Sequence, residues 1–136
     1  MKKLFYLILV LSFLSCKSKK ELTYKRLVGK WAIEEITYLD KSYKDQLYIN
    51  AIILKENNNI SVPETVHFVK DKNATWKLIE RGNDFLIQIN TNNTVFNDTF
   101  DVKFISDKER SLRGVILKSD TIFIKAFKLL QNYHKW

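Results

Sequence analysis

Residues 30–128 form eight short runs of β-branched and aromatic residues separated by polar turns, with no helical repeat between them. The runs are Lys30–Leu39, Gln46–Lys55, Glu64–Val69, Ala74–Glu80, Phe85–Asn90, Asp98–Ile105, Ser111–Lys118 and Thr121–Lys128. Asn57-Asn58-Asn59, Lys70–Asn73, Arg81-Gly82-Asn83, Asn92-Asn93, Ser106–Arg110 and Ser119-Asp120 supply the turns. Short strands recurring every roughly 8–12 residues predict an antiparallel sandwich or barrel. Pro63 falls just before a strand, where a missing N–H costs least.

Alternation assigns faces. Phe85, Ile87 and Ile89 share one face of their strand, as do Phe100, Val102 and Phe104, while Asp101 and Lys103 point away. Trp76 and Leu78 oppose Lys77, and Ala51 shares an inward parity with Ile49 and Ile53. Such odd-even sets are the inward rows of a half-buried sheet. The first strand is mixed, with Trp31 and Ile33 on one face and Ile36 and Tyr38 on the other. A bulge near Glu34-Glu35 reconciles them, as does partial cover on both faces. Glu21–Val28 is read as a short helical turn, and Lys41–Asp45 as a short helical or flexible connection.

The stretch Leu27-Val28-Gly29-Lys30-Trp31, opening the first strand, resembles the G-x-W signature of lipocalins and small bacterial lipocalin-like domains. The runs IILKENNNISVP, ATWKLIERGNDFLIQI and LKSDTIFIKAFK extend the resemblance across nearly the whole chain after the leader. It implies an all-β fold: an eight-stranded up-and-down antiparallel β-barrel, here assigned to residues 27–136 with a short C-terminal tail. In that family the glycine permits tight passage at the closed end and the tryptophan plugs the floor beneath a cation of the last strand. The resemblance therefore implies barrel closure by Gly29, Trp31 and Lys128, which ends the row Ile122, Ile124, Ala126. Lys125 replaces it if the register is opposite. A lysine stands where the family usually has arginine.

The opening MKKLFYLILVLSFLSCKSKKE has a basic n-region, Lys2 and Lys3, then an apolar stretch from Leu4 to Leu14. A bilayer-spanning helix needs ~20 apolar residues, so this one is too short to span and suits a secretory signal. Phe13-Leu14-Ser15-Cys16 resembles a bacterial lipobox, although Phe13 departs from the usual leucine. The resemblance implies a lipoprotein signal peptide over residues 1–15 and lipidation of Cys16, the chain's single cysteine. Residues 16–26 then make a tether. Each buried methylene contributes ~0.8 kcal/mol, so several acyl chains anchor stably where one does not. The tether lysines add attraction to anionic headgroups. The basic stretch Lys17-Ser18-Lys19-Lys20 contrasts with the acidic residues common on surface-exported lipoproteins. The expected location is the bacterial envelope, at the periplasmic face of the outer membrane.

The net charge of +8 is spread along the chain without an arginine-rich block, so nucleic acid is not an expected partner. His67 and His134 stand alone, and no metal is expected. Glu34 and Glu35 are adjacent on a strand and point to opposite faces, so they cannot work as an acid–base pair. Ser119 lacks a nucleophile elbow, and three glycines make no phosphate loop. Neither catalytic residues nor a cofactor is expected.

Two readings remain. Ile33, Ile49, Ala51, Trp76, Leu78, Phe85, Ile87, Phe100, Phe104 and Ile124 line a cavity for a small apolar or amphipathic ligand, or they fill the core of a narrow barrel. The first makes a carrier. The second makes an envelope interaction module holding another protein by its wall, loops or tail. Leu129, Leu130, Tyr133 and Trp136 form an apolar stripe at helical spacing in that tail.

Overall fold

A computed structural model describes Lys3 and residues 18–129. Helix α1 spans Lys19–Leu27. The strands are β1 (Gly29–Tyr38), β2 (Lys41–Ser42), β3 (Ala51–Leu54), β4 (Ile60–Ser61), β5 (Thr75–Arg81), β6 (Asp84–Asn90), β7 (Thr99–Asp107), β8 (Leu112–Lys118) and β9 (Ile122–Lys128), with a 3-10 turn at Lys44–Gln46. The sheet order is β4-β3-β1-β9-β8-β7-β6-β5, and β2 pairs only with β1. First and last strands are thus neighbours, and the remaining principal strands follow in chain order. An antiparallel bridge between Asn59 and Thr75 brings the two ends of the order together, giving a nearly closed up-and-down barrel of eight strands.

Ladder registers carry the inward row around the wall. Ile33 lies opposite Ala126, Ala126 opposite Val115, and Val115 opposite Phe104. The bulge is present: pairing of β1 with β9 slips between Ile33 and Glu35, so Ile33 and Ile36 are both buried. An extra residue at that point turns the strand and restores its apolar face to the core.

Three expectations need correction. Glu64–Val69 is not a strand. Thr65 and Phe68 exchange backbone hydrogen bonds of 3.0 and 3.3 Å, and Thr65 Oγ1 accepts from the His67 N–H, so local turn bonding displaces the ladder. The partner of β3 is instead the short β4. Gln46–Lys55 is strand only over Ala51–Leu54, because the preceding chain winds into the 3-10 turn. Consequently Ile49 is 64% exposed and Ala51 half-buried beside the inward Ile52, so neither sits in the interior. Finally, the folded unit begins before residue 27. Ser18 caps α1 by accepting from the Glu21 N–H at 3.1 Å, and Leu27 is fully buried. Cys16, the signal segment and residues 130–136 of the tail lie outside the described residues.

Candidate functional site

Ile33, Trp76, Leu78, Phe85, Ile87, Phe100 and Ile124 all point inward and are buried, with Ile87, Phe100 and Ile124 at 0% exposure. A void able to hold even a water molecule leaves accessible surface on its lining, and Trp76, Ile87, Phe100 and Ile124 have essentially none. They interdigitate as a core. Phe104 lies at the end of the inward row and is half-buried under the Arg26 guanidinium, 3.8 Å above its ring.

Helix α1 plugs one end. Leu27 enters the core, Tyr24 stacks on Trp76 at 4.8 Å, and the Tyr24 hydroxyl donates to the Glu56 carbonyl at the β3–β4 turn. Trp31 is 2% exposed, and its indole N–H donates to the Leu27 carbonyl at 2.8 Å. Lys128 lies directly opposite Trp31 in the β1–β9 ladder. Its ammonium stands 5.5 Å from the indole ring and donates to the Arg26 carbonyl at 2.8 Å. Gly29 has φ +143°, which favours glycine, and a Cβ there would meet Lys128 Cε at 2.8 Å and push the lysine aside. Lys125 faces the outer wall instead, 3.7 Å from Glu34.

Beside this plug lies a pocket of about 260 Å³ lined by Lys25, Arg26, Trp31, Phe104, Arg113, Gly114 and Lys128. Four of those seven residues are cationic and none is acidic. Burial pushes the Lys128 ammonium below the ordinary lysine value, and nearby Arg113 and Arg26 push it further. On the outer wall a second hollow of about 290 Å³ includes Glu34, Arg110, Leu112 and Phe127. There the charges are matched: Arg110 reaches Glu34 at 2.9 Å and Asp107 at 2.7 Å. The Arg110 hydrogen bond holds the Glu34 carboxyl below its usual range.

The opposite end is sealed by loops. Asn93, Val95 and Phe96 turn inward and are buried, Phe96 at 0% exposure. The Asn93 amide donates to the Pro63 carbonyl at 3.3 Å, and its side-chain oxygen accepts from the Val95 N–H. Asp71 accepts from the Asn92 N–H, the Asn73 N–H and the Thr91 hydroxyl, and the two backbone donors hold its carboxyl below the usual value. Tyr48, Ile49, Val66 and Val69 stand exposed on neighbouring loops joined by the bond from Tyr48 N–H to the Glu64 carbonyl.

Sequence reasoning missed Asn93, read only as part of the Asn92-Asn93 turn, and Val95 and Phe96, which lie between that turn and the Asp98–Ile105 run. It also missed Arg26 and Arg113, whose separation in the chain hides their meeting. Val95-Phe96 between polar turn residues was the available signal. His67 is exposed, and among the described residues no group of three His, Cys, Asp or Glu side chains gathers to hold a metal. Among the same residues no helix is long and apolar enough to cross a membrane. The chain matches no protein-family model, no curated protein and no solved structure.

Proposed function

We propose that this chain is a lipid-anchored, lipocalin-like module of the bacterial envelope. Its filled barrel serves as a rigid scaffold that presents surfaces to a protein partner, without catalysis and without enclosing an apolar ligand. The observation that carries this reading is the interior packing: the inward aromatic and aliphatic side chains cover one another, helix α1 closes one end, and Phe96 closes the other. Ligand pockets ordinarily offer about 300–1,000 Å³ within their walls, and a packed row of Ile87, Phe100 and Ile124 offers no such room. Exposed apolar side chains are instead grouped outside, at Tyr48, Ile49, Val66 and Val69, with Val69 at 79% exposure. Apolar residues grouped on a surface are the usual sign of a docking face. The lipobox resemblance at Cys16 behind its short apolar leader supports the anchor, and the basic stretch Lys17-Ser18-Lys19-Lys20 supports the periplasmic face of the outer membrane.

Native mass spectrometry of the mature protein, extracted in neutral detergent, tests both parts in one measurement. The covalent mass should correspond to a chain beginning at Cys16 and carrying three acyl chains, with no stoichiometric small molecule retained. A retained apolar ligand would restore the carrier reading. A chain without the lipid mass would remove the anchor.

A further inference from the structure

We propose that the cationic pocket beside helix α1 binds a phosphate group, carried by a lipid headgroup or by a small phosphorylated solute. The chain has four arginines, and two of them are spoken for: Arg81 pairs with Asp101 at 2.8 Å, and Arg110 with Glu34 and Asp107. The other two, Arg26 and Arg113, line this pocket, and among the described residues neither they nor Lys25 and Lys128 have a carboxylate within ion-pair range. Three separate elements, α1, β8 and β9, thus bring four positive charges to one concavity. Such crowding is unfavourable, the Phe104 and Trp31 rings beneath Arg26 and Lys128 offset it only in part, and a bound anion would relieve the rest.

The geometry favours a tetrahedral anion over a single carboxylate. A planar carboxylate satisfies one guanidinium fork, whereas three phosphate oxygens can accept from donors on α1, β8 and β9 at once. The negative end of the helix opposes an anion only in part. Its carbonyls at Arg26 and Leu27 already accept from Lys128 and Trp31. Helix polarity favours cations in the last turn, which accounts for Lys25 and Arg26 but not for Arg113 arriving from β8. The pocket volume of about 260 Å³ accommodates a phosphate with a small attached group. Burial first, and then the like charges of Arg113 and Arg26, lower the Lys128 value, and an anion seated beside these donors would act in the opposite direction.

Nothing in this site depends on the proposed protein partner, but the choice between sources depends on the anchor. Lys25 lies in the last turn of a helix that starts at Lys19 and rises ~1.5 Å per residue. A chain held at Cys16 therefore keeps the pocket within reach of headgroups.

The test uses mature protein in dodecyl maltoside at constant ionic strength. Inorganic phosphate and dihexanoyl phosphatidylglycerol are titrated separately, and calorimetry and phosphorus NMR line width are read. Saturable one-to-one binding is expected, weakened at least tenfold in Arg113→Gln and in Lys25→Gln. It should be unchanged in Lys77→Gln, which removes an exposed charge from β5 on another part of the wall. Binding of phosphatidylglycerol alone assigns the site to a headgroup, and binding of inorganic phosphate assigns it to solutes. Saturation by neither titrant would overturn the proposal. Equal weakening in Lys77→Gln would do so too, because it would reduce the effect to net charge.

Discussion

The two ends of this barrel are both shut, by different means. At one end a capped helix drives Leu27 inward, and Trp31 and Lys128 hold its last carbonyls. At the other, irregular loops fold Phe96 and Asn93 into the opening and are tied by Asp71 and by side-chain oxygens of threonine and asparagine. The helix satisfies most of its own backbone groups, so its cations remain available around a hollow. The loops have no ladder, so their polar side chains are consumed in holding backbone N–H groups. A helical plug can therefore leave charge unpaired for a ligand, whereas a loop plug leaves apolar side chains outside, at Tyr48, Ile49, Val66 and Val69.

Replacing the aromatic seal at each end tests that contrast. Trp31→Ala should cost about 3–5 kcal/mol, from lost burial and the void left behind. It also orphans the Leu27 carbonyl. Domains of this size hold only about 5–15 kcal/mol in total, so denaturant unfolding should register a severe loss. Phe96→Ala is expected next, near the lower limit of the same range, because loops collapse into a void more readily than a strand and a helix do. A loss below about 1 kcal/mol for Phe96→Ala would mean that the loop is a cover, not a stopper. Equal and large losses would erase the difference between the ends.

Gly29→Ala probes the helical end without deleting a large side chain. The positive φ and the 2.8 Å approach of Lys128 Cε should together cost about 1–3 kcal/mol. A neutral result in the same unfolding assay would mean that the backbone at Gly29 relaxes out of its positive φ and that Lys128 gives way freely.

The smallest effect belongs to the loop end. Asp71 has its pKa lowered in the folded state by the Asn92 and Asn73 N–H groups. Its contribution is therefore complete above the ordinary aspartate range and is lost as pH falls through the lowered value. Asp71→Asn should melt slightly below the wild type at neutral pH, and the gap should narrow as pH falls below about 4. A gap independent of pH would assign the loss to geometry alone.

Much of the wall was legible because alternation is a local property. Phe85, Ile87 and Ile89, or Phe100 with Val102, declare their faces two residues at a time, and the parity break in β1 announced its bulge. Lys128 could be placed opposite Trp31 from parity and the lipocalin resemblance, although parity alone left Lys125 open. Glu64–Val69 misled for the same reason it looked convincing: β-branched residues suit a strand, but a strand also needs a partner, and Thr65 offers its own N–H and hydroxyl to a turn instead. Whether the inward residues enclose space or fill it depends on how far opposite walls stand apart, and side-chain pattern does not encode that distance. The gathering of Lys25, Arg26, Arg113 and Lys128 is likewise a product of closure, since strands far apart in sequence become neighbours only when the first pairs with the last. Local alternation set the rows of this barrel, and long-range packing decided what its ends became.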